Sequence, residues 1–136
     1  MTEFPLKIVT PDGVCFDGEA EELVVRSVGG DVAILARHVN FVTALGMGPA
    51  LIVSKGQRRT AACIGGMLSV VGGKVTLLPT TFEWADSIDV ERAEASQRRA
   101  DQVLRSKDAS DTDIRMAEAR LKRALIRKNV ASHKPL

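Results

Sequence analysis

Residue types able to do chemistry are sparse in this chain of 136 residues, and they do not gather. His38 and His133 lie in different regions. His38 follows a strand-like run and reads as a hydrogen-bonded structural histidine, while His133 falls in the terminal tail, so no histidine-centred site is expected. Cys15 and Cys63 are too few for a disulfide scaffold or a four-ligand zinc site, and read as small buried hydrophobes. Glu19, Glu21 and Glu22 form an acidic run of the kind that makes a solvated face. A GxxxxGK[ST] phosphate loop is absent, and Gly46-Met47-Gly48 is too short to replace one. A nucleophile elbow and an HExxH pair are absent as well. No catalytic residue, no metal site and no enzymatic activity of the chain by itself are therefore expected. What remains is positive charge: Arg115, Arg120, Lys122, Arg123, Arg127 and Lys128 crowd the C-terminal end.

That charge is unevenly distributed. Residues 1–87 carry 7 Lys/Arg against 9 Asp/Glu, and residues 88–136 carry 12 against 8. A near-neutral body thus bears a basic end, which implies an anionic partner. Apolar residues make up 45% and charged residues 26%, an ordinary globular composition. Aromatics are 4% with no tyrosine, which argues against a platform that stacks single-stranded bases. No apolar run approaches the roughly 18 residues of a membrane span. Met1-Thr2-Glu3-Phe4-Pro5 lacks the basic-then-apolar order of a signal peptide, so a soluble chain in a reducing compartment is expected.

Two regions with different periods must position these residues. Up to Ser87, short apolar runs alternate with turn signals at the spacing of a sandwich or barrel. The turns are Thr10-Pro11-Asp12-Gly13, Gly29-Gly30-Asp31, Ser54-Lys55-Gly56-Gln57 and Val71-Gly72-Gly73-Lys74. Nine strands are predicted: Leu6–Val9, Gly13–Phe16, Glu21–Arg26, Val32–Leu35, Phe41–Leu45, Ala50–Val53, Arg59–Ile64, Met67–Val71 and Val75–Leu78. They imply two small packed sheets. Gly65-Gly66 inside an apolar run marks a bulge or a close backbone approach.

From Ile88 to Ile126 there is no glycine and no proline, and helix formers dominate. A break at residues 106–111, rich in capping residues, separates a helix over about 88–106 from one over about 111–129. The short link makes them an antiparallel hairpin. The fold class is α+β in two parts: a β-sandwich over 1–87 and a two-helix hairpin over 88–136. The helix faces offer Ile88, Ala93, Ala100, Val103 and Leu104 on one side, and Ile114, Ala117, Leu121, Ala124, Leu125 and Ile126 on the other. Alanine buries little area, at about 25 cal/mol per Å2, so a hairpin seamed by alanine reads either as weakly held and detachable or as a static appendage that uses alanine for close packing.

The residues inside this order carry a family pattern. Val9-Thr10-Pro11-Asp12-Gly13 comes first, then Gly30-Asp31-Val32-Ala33-Ile34-Leu35, His38 and Val42-Thr43-Ala44-Leu45. Gly65-Gly66-Met67-Leu68, Val75-Thr76-Leu77-Leu78 and Ile88-Asp89-Val90-Glu91-Arg92-Ala93 follow. Nearly the whole chain resembles the epsilon subunits of rotary (F-type) ATP synthases. It departs at Arg37 and Asn40, where the family usually has a small or polar residue and a proline, so a different turn is expected there. The resemblance implies a central-stalk rotor subunit of a proton- or sodium-driven synthase. Its sandwich would bind the gamma subunit and rest on the membrane c-ring. Its hairpin would inhibit ATP hydrolysis by extending toward the alpha/beta catalytic subunits. Arg115, Arg120, Lys122 and Lys128 are the inhibitory contacts expected there, weakened by salt. The implied location is peripheral, on the cytoplasmic face of a bacterial plasma membrane, with the stromal face of a thylakoid as the alternative, and membrane contact is only through the complex.

The resemblance also implies a regulatory ligand, since some members bind ATP in the folded-down hairpin. The motif positions here are Ile88, Asp89, Arg92 and Ala93, with matching positions at Glu83, Arg99, Arg123 and Arg127. Glu83 and Asp89 would accept from adenine or ribose, and the arginines would fork onto phosphate. Arg92 and Arg99 share a helix face, as do Arg123 and Arg127. Asp89 also reads as a complement to the helix dipole. No cofactor is required. The competing reading is a nucleic-acid-binding module on the basic end of the second helix, with the acidic residues of the first helix against it.

Overall fold

From Phe4 to Ile8, side chains alternate between buried and exposed, the period of a strand with one face on a core. The computed structural model describes residues 2–132, so His133 and the last residues of the expected hairpin lie outside the described residues. The strands are β1 (Phe4–Thr10), β2 (Gly13–Ala20), β3 (Glu22–Ser27), β4 (Gly30–Ile34), β5 (Phe41–Ala44), β6 (Met47–Ser54), β7 (Gln57–Ile64), β8 (Met67–Val71), β9 (Lys74–Leu78) and β10 (Thr81–Trp84). One sheet has the order β2-β1-β9-β8-β5 and the other β10-β7-β6-β3-β4. We call them the first and second sheets. Their inner faces bury Leu6, Ile8, Leu68, Val70 and Leu77 against Leu23, Val25, Ala50, Ile52 and Cys63.

The two-sheet sandwich and the following hairpin match the expected fold class. Strand number does not, because β10 is a tenth strand. It follows Pro79-Thr80 and is only four residues long, too short to show a period of its own. It pairs with β7, placing Phe82 opposite Cys63 and Glu83 opposite Ala62. β6 begins earlier than expected and includes Pro49. Proline is tolerated there because β3 pairs with β6 only from Leu51 onward, so no ladder bond is lost on that side.

The chain crosses between sheets at Glu21 and over residues 35–40, and three further times, at Leu45-Gly46, Gly65-Gly66 and Pro79-Thr80. Backbone bonds tie the last three together: Leu45 N–H donates to Gly66 O (2.8 Å), Gly65 N–H to Gly46 O (2.9 Å) and Thr80 N–H to Gly65 O (3.4 Å). A Cβ on Gly66 would stand 1.9 Å from Leu78 O, which is the close approach expected of the Gly65-Gly66 pair. The atypical turn near His38 also has a physical form. Arg37 takes a left-handed φ of 66°, and Asn40 Oδ1 accepts from Gly72 N–H at 2.9 Å. A proline at position 40 has no side-chain acceptor for that bond.

The 3-10 turn Ala85–Ser87 leads to α1 (Val90–Arg105) and α2 (Asp111–Ser132). α1 starts two residues later than expected because Asp89 caps it, its Oδ1 accepting from Arg92 N–H at 3.0 Å. The break falls where expected. Ser110 Oγ accepts from Asp113 N–H and Asp113 Oδ2 accepts from Ser110 N–H, a reciprocal cap on α2. α2 runs past residue 129 because Val130 is buried and anchors another turn. The hairpin buries Ala93, Ala100, Ala117, Ala124 and Val130. Leu125, expected on the seam, is instead exposed. α2 packs on β6 and β7, so the hairpin lies folded against the second sheet.

Candidate functional site

Because β10 turns Phe82 and Trp84 toward the core, Glu83 and Thr81 face the opposite way, toward the hairpin. Their register places them beside Ala62 and Ile64 of β7 on the outer face of the second sheet. Both of those residues are buried, and the small side chain at position 62 suits a close helix. Arg127 of α2 meets this face. Its Nε donates to Glu83 Oε1 at 2.6 Å, with both side chains half-buried. Lys128, one residue on, donates from Nζ to Gln97 Oε1 across the helix pair at 2.8 Å.

The other expected ligand residues are dispersed. Asp89 serves as the N-cap of α1, Ile88 lies half-buried at the joint, and Ala93 is buried in the hairpin. Arg92 and Arg99 are exposed on α1, and Arg123 is half-buried on α2. Only Glu83 and Arg127 of this set are joined by a hydrogen bond between side chains; Arg92 and Ala93 reach Asp89 through their backbone N–H groups. The basic cluster is divided too. Arg115 and Lys122 are exposed, Arg120 lines a shallow groove with Asp113 and Met116, and Arg127 and Lys128 are engaged as described.

The remaining chemistry-bearing groups hold structure. His38 Nδ1 lies 2.7 Å from Val39 O, and its ring packs obliquely on Phe41. Cys63 is buried as expected, and burial pushes its thiol up to about 12, so it stays protonated. Cys15 is only half-buried, because β2 is an edge strand. The Asp31 carboxylate holds the Arg26 guanidinium above its usual range through a hydrogen bond.

One surface escaped the sequence reading. On the outer face of the first sheet, Val42, Met67, Val71 and Leu78 are all exposed. The register puts Ala44 beside Met67 and Met67 beside Leu78, so the strip is continuous across β5, β8 and β9. Its signal was present in β8, where Met67, Leu68, Val70 and Val71 are apolar on both faces of one strand.

Comparison with known proteins decides what this architecture is. Residues 3–85 match the ATP synthase delta/epsilon chain beta-sandwich domain, and residues 86–132 match the long alpha-helix domain of the same chain. The chain belongs to the ATP synthase delta/epsilon family. Members of that family are non-catalytic subunits. The ATP synthase epsilon chain of Bacillus velezensis is 42% identical over 98% of this chain and 100% of its own length. That of Shouchella clausii is 37% identical over 98% of both chains. A chain of the Euglena gracilis mitochondrial ATP synthase shares the fold, with a TM-score of 0.83 at 19% identity over 98% of this chain and 83% of its own. Among the described residues, no helix is long and apolar enough to cross a membrane.

Proposed function

We propose that this delta/epsilon-family chain is a central-stalk rotor subunit whose two sheets have separate tasks. The carrying observation is that the hairpin occupies the outer face of the second sheet, while the first sheet presents the bare strip of Val42, Met67, Val71 and Leu78. An apolar strip on one face is the signature of a partner surface. In this reading the strip docks on the gamma subunit, and the exposed loop at Leu35 and Val39 rests on the c-ring. The chain then turns with both and couples them. The hairpin, held by small residues, leaves the second sheet and inhibits hydrolysis at the alpha/beta subunits. Membrane association is through the complex alone. Replacing Val42 and Met67 together by aspartate tests the dock. The double variant is expected to keep its circular dichroism and lose about tenfold or more in affinity for a catalytic core stripped of its epsilon subunit. Undiminished binding would remove this face from the assignment.

ATP is the proposed regulatory ligand of the folded-down hairpin, through Glu83, Asp89, Arg92, Arg99, Arg123 and Arg127. A ligand that binds only this state stabilises it by RT ln(1 + [L]/Kd), so abundant ATP would keep the brake off. By titration calorimetry, Arg92→Ala or Arg123→Ala is expected to weaken ATP binding about tenfold, the loss of one charge-assisted bond, with the sandwich intact. Absence of heat from the unaltered chain at millimolar ATP would end this part of the reading. For a nucleic-acid role, two of the six cations, Arg127 and Lys128, are already taken by contacts within the chain.

A further inference from the structure

The hairpin and the sandwich meet through a face that is only partly apolar. Beside buried Ala62 and Ile64, the outward positions of β7 and β10 include Thr60, Thr81 and Glu83. Glu83 with Arg127 is, among the described residues, the one side-chain ion pair that joins hairpin to sandwich. It spans 44 positions of sequence and is half-buried, where solvent screens it less than at a free surface. On the same face, Thr60 Oγ1 and Thr81 Oγ1 are shut off from solvent and have no hydrogen-bond partner. A hydroxyl stripped of water without a replacement bond opposes the burial that strips it. The two effects have opposite signs on one interface.

We propose that Glu83 and Arg127 form a ligand-independent latch for the folded hairpin, set against the Thr60 and Thr81 hydroxyls that its docking desolvates. This rests on the reading that the hairpin leaves the second sheet. The chain then sets its own resting balance between folded and released states. A nucleotide shifts that balance and does not create it. Arg127 also arrives at any anion already paired, so a bound phosphate must compete with Glu83 for it.

The test uses the full chain without nucleotide, with Cys15→Ser and probes on Gln57→Cys and Met116→Cys, both exposed positions. Buried Cys63, its thiol protonated, stays unlabelled. Pulsed electron spin distances between the probes give the ratio of released to folded hairpin, with and without the stripped catalytic core. Glu83→Gln and Arg127→Gln are each expected to raise that ratio about fivefold to tenfold, and the double variant no further. Exchanging the charges, Glu83→Arg with Arg127→Glu, is expected to restore folding in part. Thr60→Val, which keeps the shape and removes the hydroxyl, is expected to lower the ratio about fivefold. Additive single variants, or a ratio unmoved by Glu83→Gln while the hairpin does release, would overturn the latch. A rise with Thr60→Val would overturn the opposing role of the hydroxyls. A single folded distance in every variant, even with the core present, would overturn the moving hairpin and the latch with it.

Discussion

A chain ending at Ser87 is expected to bind a stripped ATP synthase core as the full chain does, yet leave ATP hydrolysis unslowed. The full chain is expected to slow it about fivefold or more, the scale of an ordinary coupling between two sites. The reason lies in where the cores are. The sandwich core comes from residues between Phe4 and Cys63, Leu68 and Leu77, with β10 closing one edge. The hairpin adds to it only an outer layer on β6 and β7. Removing the helices exposes Ala62 and Ile64 but opens no hole between the sheets. The strip on the first sheet is untouched. If both chains bind and neither slows hydrolysis, the dock stands and the brake falls. If the short chain fails to bind while remaining folded, the hairpin carries the dock, and the division of labour between the sheets is wrong. Binding and hydrolysis must be followed in the same preparation for these outcomes to separate.

Gly66→Ala is expected to destabilise the sandwich by more than about 4 kcal/mol, enough to leave much of it unfolded. The added methyl would fall 1.9 Å from Leu78 O and 2.7 Å from Pro79 Cα, both backbone atoms that cannot swing aside. Gly66 also has φ +100, a conformation that side chains other than glycine rarely adopt. Gly56→Ala is the control. Gly56 has φ +74 but nothing within 4 Å of the added atom, so only the backbone term of about 1 kcal/mol applies. Urea unfolding of the three chains measures the difference. Similar midpoints for the two variants would mean that the crossing corner yields, and that the close approach is not what position 66 requires.

Much of the architecture was legible because local signals agreed with the global ones. Turn residues bounded the strands, and Gly72-Gly73, both at positive φ, closed the β8–β9 hairpin as glycine pairs do. Ser106 and Ser110 marked the helix ends through hydrogen bonds that depend only on near neighbours. The alanine seam followed from period alone. What could not be read depends on contacts between distant segments. β10 is a strand because β7 is there to pair with it. Leu125 is exposed because the hairpin turns toward β6 and β7 on another side. The family resemblance named Glu83 and Arg127 as one set, but their direct bond needed a sheet register and a helix docked across it. Asp89 could cap or bind, and only the start of α1 showed the cap.

The corner where three of the crossings meet has a mechanical meaning. Side-chain packing between two sheets resists compression well but lets layers slide, because apolar contacts have little direction. Where Leu45-Gly46, Gly65-Gly66 and Pro79-Thr80 meet, the layers are joined instead by covalent chain and by directed N–H to C=O bonds. A sideways load on the first sheet is therefore handed to the second at this corner by stiff connections. The far end of the sandwich is joined as well, by the crossings at Glu21 and over residues 35–40 and by Ser54 Oγ donating to Glu19 O at 2.7 Å. In a part that turns with a shaft, links of this kind at both ends make the two layers move as one piece under torque.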